Sequence, residues 1–379
     1  MEPKGLEPSR LPRLAVTLGD PTGVGPEIIA DALRNSELAK ICQPIVIGRP
    51  EILEQACKLR NHPCAIEALS LEDCFHGELP SPRANTLYCV SVGSCEAEAA
   101  PHARIDPRGG QAAYDALVAA TKLALQRQVD AIVTAPLHKA ALHAAGHHWP
   151  GHTELLAHLC GVTQYAMMLY LPPALQQSNS LTTPEHSVTK RRGGPVGLGV
   201  VHVTLHMALR DVFAHLSTEA IFEKIALTES IFRRIRMAQG LPHTPSIAVA
   251  ALNPHGGEEG LFGDEEITVI RPAVELAKAR GWNVKGPLPV DTLMPKAADG
   301  DYDGVVAMYH DQGHIALKLL DMFDAVNITL GLPILRTSVA HGTAHDQAWL
   351  GTASSSGMVQ AIRTAAWLAS HPASKTAPV

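Results

Sequence analysis

The amino-acid sequence predicts an α/β fold in which a mostly parallel sheet is covered by helices. Short runs rich in Val, Ile and Ala alternate with longer segments of helical periodicity along the chain. The chain has 379 residues, and at roughly 150 residues per domain this length indicates two domains. A hydrophobic content of 46% is typical of a chain that folds around an apolar core.

The first strand–turn–helix unit lies near the N-terminus. A strand predicted at 14–18 precedes the turn Gly19-Asp20-Pro21-Thr22-Gly23, and Pro26 suits the first turn of the helix that follows. Parallel strands need crossover connections, so the recurrence of this pattern indicates a parallel or mixed sheet. A helix is predicted at 112–125, and further strands are predicted at 44–48, 130–135, 200–204, 246–251 and 304–308.

One segment departs from this alternation and is predicted to be a loop insertion at 172–198. It is rich in Gly, Pro, Ser and Asn and lacks hydrophobic periodicity. We interpret the basic run Lys190-Arg191-Arg192 as part of a solvated loop and not as a binding patch.

Composition and charge exclude several classes of protein. The formal net charge of −6 argues against a nucleic-acid-binding or membrane-surface protein. No apolar run reaches the ~18 residues of a membrane span, and the N-terminus lacks the apolar core of a signal peptide, so we expect a cytoplasmic protein. The seven cysteines include no CxxC pair and are predicted to be reduced thiols.

Three histidines occupy equivalent places in the pattern. His206, His255 and His310 each follow a predicted strand. Ligands of open α/β sheets bind beyond the carboxyl ends of strands, and neutral imidazoles are good ligands for a divalent ion. Histidines so far apart in sequence carry no fixed metal-binding signature, so three ordinary hydrogen-bonded histidines remain the alternative.

Two further groups of residues suggest an anionic ligand. Gly151-His152-Thr153 opens a predicted helix with Thr153 as its expected N-cap, and the free N–H groups there would bind a phosphate or carboxylate. An ordinary capped helix is the alternative. Asn327 and Arg336 lie in apolar segments after Lys318, and their polar groups need partners, which an anionic substrate or a structural carboxylate would supply.

Several common catalytic and nucleotide-binding motifs are absent. The sequence has no GxGxxG Rossmann turn after its first strand and no GxxxxGK[ST], HExxH or GxSxG motif. A dinucleotide would therefore not bind through the usual Rossmann phosphate turn.

Taken together, several segments resemble the 4-hydroxythreonine-4-phosphate dehydrogenase family of pyridoxal phosphate biosynthesis. They include GDPTGVGPE at 19–27, GHTE at 151–154 and YHDQG at 309–313. The set runs in order along nearly the whole chain, and its other members are 134–139, 204–206, 253–255, 286–292, 326–338 and 341–344.

The resemblance implies a two-domain α/β/α fold of the isocitrate/isopropylmalate-dehydrogenase kind. The first domain would comprise 1–139 and about 305–379, and the second would comprise 140–304 with a dimer interface. The resemblance further implies a homodimer with active sites at the subunit interface. NAD or NADP would bind through loops of the C-terminal half, which agrees with the missing GxGxxG turn.

The resemblance also implies the roles of individual residues. One divalent ion per subunit (zinc, cobalt, magnesium or manganese) would be held by His206, His255 and His310, some of them supplied by the partner subunit. The ion would lower the pKa of a substrate hydroxyl while hydride passes to the nicotinamide. Lys318 is the expected proton shuttle, and Asp291 would orient the substrate's amino group or a metal-bound water. Substrate contacts are implied for His152, Thr153, Lys318, Asn327 and Arg336.

The implied substrate is 4-phosphohydroxy-L-threonine, oxidised to 2-amino-3-oxo-4-phosphooxybutanoate, which decarboxylates to 3-amino-2-oxopropyl phosphate. His314-Ile315 replaces the apolar pair of that family and is similar to paralogues that oxidise 4-phospho-D-threonate or 4-phospho-D-erythronate. His314 would contact a substrate hydroxyl or would mark a change of packing. Alternatives of other classes are a non-catalytic phosphate-ligand binding protein and a hydrolase that uses the same histidines.

Overall fold

The structure is a computed structural model that describes residues 10–76, 79–173 and 193–372. The basic run at 190–192 and most of the predicted insertion lie outside the described residues. The chain divides into two compact units. Unit 1 comprises the chain up to Cys160 together with 333–372, and unit 2 comprises 161–332.

Strands and helices alternate along much of the described chain. The strands are β1 (Arg13–Thr17), β2 (Gln43–Gly48), β3 (Ala65–Ser70), β4 (Thr86–Ser91), β5 (Ala131–Thr134), β6 (Ala166–Leu171), β7 (Leu198–His202), β8 (Ile247–Ala250), β9 (Val284–Leu288), β10 (Gly304–Ala307), β11 (Val326–Leu330) and β12 (Arg336–Val339). The α-helices are α1 (Gly25–Ala32), α2 (Ser36–Ile41), α3 (Pro50–Leu59), α4 (Leu71–His76), α5 (Pro107–Leu125), α6 (Lys139–Ala144), α7 (His152–Cys160), α8 (Val212–His215), α9 (Thr218–Ala238), α10 (Arg271–Ala279), α11 (Val290–Ala298), α12 (His310–Leu320) and α13 (Ser356–Ser370).

Unit 1 is built around a parallel sheet. Its strands lie in the order β3-β4-β2-β1-β5-β12, and each pair of neighbours is parallel. Every residue of β5 and β12 is buried, so the middle of the sheet forms the core. Helices α5 and α13 pack against this sheet.

Unit 2 is built around a mixed sheet with the strand order β11-β6-β7-β10-β8-β9. Strand β6 is antiparallel to both of its neighbours, whereas β7, β10, β8 and β9 are mutually parallel. Helices α9 and α10 enclose a core that includes Ile225, Val274 and Val306, all fully buried. Three parallel strands, β7, β10 and β8, therefore end side by side at one edge of the sheet.

The predicted mixed α/β class is confirmed, and the predicted strands agree with the observed ones to within two residues at each end. Two boundaries differ more clearly. Helix α5 starts at Pro107, before the predicted 112, because the Asp106 side chain accepts a hydrogen bond from the backbone N–H of Arg108 and caps the helix. Leu198, the last residue of the predicted insertion, already belongs to β7.

The two compact units divide at residues 160/161 and 332/333, whereas the predicted domains divide at 139/140 and about 304/305. Helix α7 packs on α5 in unit 1, while β10 and β11 pair with strands of unit 2. The boundaries of the compact units therefore differ from the predicted ones because α7 packs within unit 1 and because β10 and β11 pair within unit 2. Among the described residues, no helix is both long enough and apolar enough to cross a membrane.

Candidate active site

The three histidines of the predicted metal site follow three neighbouring parallel strands of unit 2. His206 lies in the loop after β7, His255 lies in the short helical turn Pro254–Gly260 after β8, and His310 is the first residue of α12 after β10. Because β7, β10 and β8 are adjacent and parallel, their carboxyl ends lie at the same edge of the sheet. This is the edge at which open α/β sheets bind ligands.

His206 and His310 lie close enough to share a cation. Their ring centroids are 6.0 Å apart. With metal–nitrogen distances of about 2.0–2.1 Å, the centroids of two imidazole rings that bind one cation lie within about 6 Å of each other. His310 Nδ1 lies 2.6 Å from Asp311 Oδ1. Because a carboxylate only accepts, Nδ1 donates and Nε2 keeps the lone pair that a metal needs.

His255 has a different environment. Its side chain is 66% exposed and its Nδ1 lies 3.1 Å from Glu258 Oε1. Its backbone is left-handed, with φ 54° and ψ 22°, which is uncommon for a residue other than glycine. In the described part of unit 2, ring contacts join His206 to His310 but do not include His255.

The loop that carries His255 is anchored by the buried carboxylate of Glu266. Glu266 Oε1 accepts hydrogen bonds from the backbone N–H groups of Leu252 (2.8 Å) and Asn253 (2.7 Å), and Oε2 accepts one from Asn253 Nδ2. Burial alone would raise the pKa of Glu266, but these hydrogen bonds outweigh it and hold the pKa below its ordinary value.

Two further histidines extend the group around His310. The His314 ring is stacked on the His310 ring, and its Nδ1 lies 3.1 Å from His202 Nε2. His202 is 1% exposed and His314 is 9% exposed. Burial, with the nearby His310 and Lys318, lowers the pKa of His314 to about 4. Burial, with the neighbouring His314 and His310, holds the pKa of His202 well below its ordinary value, so both imidazoles are neutral at pH 7.

His202 was not among the residues predicted from the sequence. The only available signal was a histidine at the end of an otherwise apolar strand.

The residues after His310 hold this edge of the sheet together. Gln312 Oε1 accepts a hydrogen bond from the N–H of Met308, and its Nε2 donates to the carbonyl of Ala251, both at 2.7 Å. A Cβ at Gly313 would lie only 2.5 Å from His202 Nε2. Glycine at this position therefore allows α12 to pack closely on the end of β7.

The remaining predicted residues of unit 2 lie on separate elements. Lys318 is eight residues after His310 on α12, so His310, His314 and Lys318 share one face of the helix. Asn327 is on β11, and its buried Oδ1 has no hydrogen-bond partner within the described residues. Asp291 is exposed in the first turn of α11.

Unit 1 brings together the predicted anion-binding residues His152 and Arg336. Arg336 on β12 is 1% exposed and donates to Thr134 Oγ1 at 2.6 Å. Its burial lowers its pKa to about 9, although the Glu154 carboxylate opposes this shift. Burial and the neighbouring charge of Arg336 hold the pKa of His152 well below its ordinary value, so His152 is neutral.

The prediction that Thr153 is an N-cap is wrong. Helix α7 begins at His152, so Thr153 is the second residue within its first turn. Its hydroxyl and backbone N–H still lie in the first turn of the helix. The backbone N–H groups there have no partner within the helix, and with the positive end of the helix dipole they favour binding of an anion.

A second polar cluster of unit 1 was not predicted from the sequence. Thr22 donates its hydroxyl to Asp20 Oδ1 at 2.7 Å and lies 3.3 Å from His345 Nε2. The His345 ring is stacked with His138 at 5.0 Å. Within the described chain, Asp20 Oδ2 and His138 Nδ1 are buried without a hydrogen-bond partner, and burial raises the pKa of Asp20. Two of the segments that carry the family resemblance, 19–27 and 134–139, converge at this cluster.

Comparison with known proteins places the chain in a family. Residues 40–365 match the family described as pyridoxal phosphate biosynthetic protein PdxA. The chain is 40% identical to the D-threonate 4-phosphate dehydrogenase of Salmonella typhimurium, covering 94% of this chain and 98% of that protein. It is 41% identical to the 4-hydroxythreonine-4-phosphate dehydrogenase of Geobacter metallireducens, covering 96% and 97%.

A solved structure gives the same result. The crystal structure of the 4-hydroxythreonine-4-phosphate dehydrogenase from Klebsiella pneumoniae superposes with a TM-score of 0.76 at 40% identity, covering 94% of this chain and 99% of that one. The fold and these relatives define the chain as an oxidoreductase of the dehydrogenase class. Within that class it belongs to the PdxA family, and the resemblance found in the sequence is confirmed.

Proposed function

We propose that this dehydrogenase oxidises the secondary hydroxyl of a 4-phosphorylated hydroxy acid with NAD or NADP, assisted by one divalent metal ion per subunit. The observation that carries the proposal is the pair His206 and His310, whose rings lie 6.0 Å apart beyond adjacent parallel strands. His255 follows the third strand at this edge and is the proposed third ligand. When bound, the cation would polarise the substrate hydroxyl and the nicotinamide would accept the hydride.

The side chains around His310 fix the tautomer and the orientation that its imidazole needs to bind a cation. Asp311 accepts a hydrogen bond from Nδ1 of His310, which keeps its proton, and so fixes the tautomer. His314 is neutral and stacks on the ring, so it restricts the ring's rotation without adding charge. The chemistry of this donor set, imidazole nitrogen with a carboxylate behind it, fits zinc or cobalt better than magnesium or manganese, which prefer oxygen ligands.

Lys318 is the proposed catalytic acid–base. It shares a helix face with His310 and His314, and an amine can accept the proton that the substrate hydroxyl loses on oxidation. Asp291 is the alternative, with an exposed carboxylate that would instead orient the substrate's amino group. The Oδ1 of Asn327, which has no hydrogen-bond partner among the residues that the structure describes, would accept a hydrogen bond from a substrate N–H or O–H group.

We propose that residues of unit 1 bind phosphate. The first-turn N–H groups of α7 and the Thr153 hydroxyl would donate to phosphate oxygens. Neutral His152 would donate one ring N–H, and the Arg336 guanidinium would donate charge-assisted hydrogen bonds to the anion.

Two substrates are consistent with the named relatives. Identity to the two relatives is 40% and 41%, so it does not separate them. His314 is the position where the sequence departs from the hydroxythreonine enzymes, but its ring is 9% exposed and its Nδ1 is already bonded to His202. This favours the packing interpretation of His314. We therefore propose 4-phosphohydroxy-L-threonine as the first candidate, with 2-amino-3-oxo-4-phosphooxybutanoate and then 3-amino-2-oxopropyl phosphate as products. 4-Phospho-D-threonate, or 4-phospho-D-erythronate, is the second candidate.

The test is a substrate comparison with the purified full chain. Each of the three phosphorylated acids is added with NAD or NADP, with divalent metal or with chelator, and nucleotide reduction is followed by absorbance. Reduction that needs both metal and one of these acids is expected. No reduction with any of them would favour a non-catalytic phosphate-ligand binding protein, and product formed without nicotinamide would indicate a hydrolase.

The oligomeric state is a separate part of the proposal. The family resemblance supports a homodimer with the active site at the subunit interface. Light scattering is expected to give the mass of two chains, and a fully active monomer would overturn this part alone.

A further inference from the structure

A compact group of three potential metal ligands lies in unit 1. Cys57 is in the last turn of α3, and His62 and Cys64 are in the connection between α3 and β3. Each offers a ligand atom, and these atoms all lie within 4.8 Å of one another. Within the described ranges it is the group of three or more His, Cys, Asp or Glu side chains that meets this distance.

The chain between the ligands is held in a tight turn. The backbone N–H of His62 donates to the carbonyl of Cys57 at 2.8 Å. Asn61 has a φ of 50°, a left-handed conformation that asparagine tolerates better than most residues. The turn therefore fixes the spacing of Cys57, His62 and Cys64.

The imidazole of His62 is oriented as a ligand would be. Its Nδ1 lies 2.9 Å from the carbonyl oxygen of Ala30 on α1. Because a carbonyl only accepts, Nδ1 carries the proton and Nε2 keeps a free lone pair. Metal-binding histidines characteristically donate their other N–H to a carbonyl or carboxylate in this way.

The separation of the two sulfur atoms also fits a shared cation. Cys57 Sγ and Cys64 Sγ are 3.6 Å apart. Two thiolates bound to one tetrahedral zinc ion at about 2.3 Å lie about 3.7–3.8 Å from each other. The cysteines are therefore already at nearly the separation that zinc would impose.

We propose that Cys57, His62 and Cys64 form a binding site for a thiophilic divalent cation of the zinc class, with a water in the fourth position. Binding exchanges the two thiol protons for one cation, and both protons pass to solvent. The site would join the end of α3 to β3, which is the edge strand of the unit 1 sheet. His62 would link the same site to α1 through Ala30.

The test uses cobalt as a spectroscopic probe of thiolate ligands. The reduced full-length protein, stripped of metal, is titrated with Co(II) and its near-ultraviolet spectrum is recorded. A sulfur-to-cobalt charge-transfer band that zinc then abolishes is expected, and imidazole ligands alone do not produce it. The band therefore reports this site independently of any cation held by the histidines of unit 2.

Variants assign the band to these residues. C64S and H62Q are expected to lose at least tenfold in cobalt affinity, and C57S is expected to abolish the band. Cys160, which like Cys64 is half-buried, and exposed Cys95 provide the matched controls C160S and C95S, which should keep it. Because Cys57 is buried and C57S could fail to fold, C64S and H62Q on half-buried positions carry the test. A folded wild-type protein without the band, or an unchanged band in both C64S and H62Q, would overturn the proposal.

Discussion

The imidazole rings of His310 and His314 are stacked face to face, with centroids 3.8 Å apart and planes inclined by 10°. His314 is in turn hydrogen-bonded to buried His202. A proposed metal ligand is thus supported by a neutral ring that is itself fixed by a second neutral ring. Positioning of this kind commonly changes metal affinity by 10–100-fold.

Replacing His314 with leucine should therefore weaken metal binding. H314L places an apolar side chain of similar size against His310 and removes the hydrogen bond to His202. We expect metal affinity to fall by about tenfold or more, with turnover largely restored at saturating metal. Metal titration of the activity measures this. H243L, at an exposed histidine, is the control, and an H314L protein with wild-type metal affinity would contradict the positioning role.

The carboxylate behind His310 provides a second test. Asp311 Oδ1 accepts a hydrogen bond from Nδ1 of His310 at 2.6 Å. D311A removes this acceptor and should lower metal affinity by about 10–100-fold, while D311N keeps an amide oxygen and should lose less. Calorimetric metal titration compares the two. Equal affinity of D311A and the wild type would show that His310 needs no such partner.

The proposed phosphate site predicts a selective effect on substrate binding. T153A removes a hydroxyl donor from the first turn of α7. A hydrogen bond to a charged group contributes about 1.5–3 kcal/mol, so KM for the phosphorylated substrate should rise about tenfold or more while kcat changes little. T163A, at an exposed threonine, is the control. A fall in kcat at unchanged KM would argue against phosphate binding by Thr153.

The acid stability of the protein should depend on Glu266. Its carboxyl has a pKa below the ordinary 4.5 because the hydrogen bonds from Leu252 and Asn253 outweigh its burial. The unfolded chain therefore takes up a proton at higher pH than the folded one. The stabilisation is fully present above about pH 4.5 and is lost as pH falls through the lower, folded pKa.

E266Q tests this dependence. Its free energy of unfolding at pH 7 should be lower than that of the wild type by about 1–3 kcal/mol, and the difference should shrink as the pH falls below 4.5. Urea unfolding across this pH range measures it. E275Q, at an exposed glutamate of α10, should behave as the wild type. A pH-independent difference would mean that the charge of Glu266 is not what anchors the loop.

Much of the fold could be predicted because it depends on local patterns. Apolar runs bounded by glycine and proline locate the strands, and their connections indicate parallel pairing. The position of His206, His255 and His310 after strands followed from the same patterns. The local patterns did not predict that β7, β10 and β8 are neighbours, because strand order depends on packing between segments far apart in sequence.

The details of the site were the least predictable part. His202 and His314 are 112 residues apart, and only the register of the folded sheet brings their nitrogen atoms together. His255 Nδ1 contacts Glu258 Oε1 from a residue with left-handed backbone angles, and the sequence of this loop alone does not specify those angles. The N-cap prediction for Thr153 failed because α7 begins at His152, two residues before the start that an N-cap at Thr153 requires.

The proposed histidine metal site is tested most directly by the metal content and turnover of H206A, H255A and H310A. Each is measured in the C64S background, in which the cysteine site is expected to bind its cation at least tenfold more weakly, and C64S alone is the reference. Each histidine variant is expected to lose most of its bound metal and to fall by at least 100-fold in metal-dependent nucleotide reduction. Full metal content and full turnover in these variants would contradict a catalytic metal site at His206, His255 and His310.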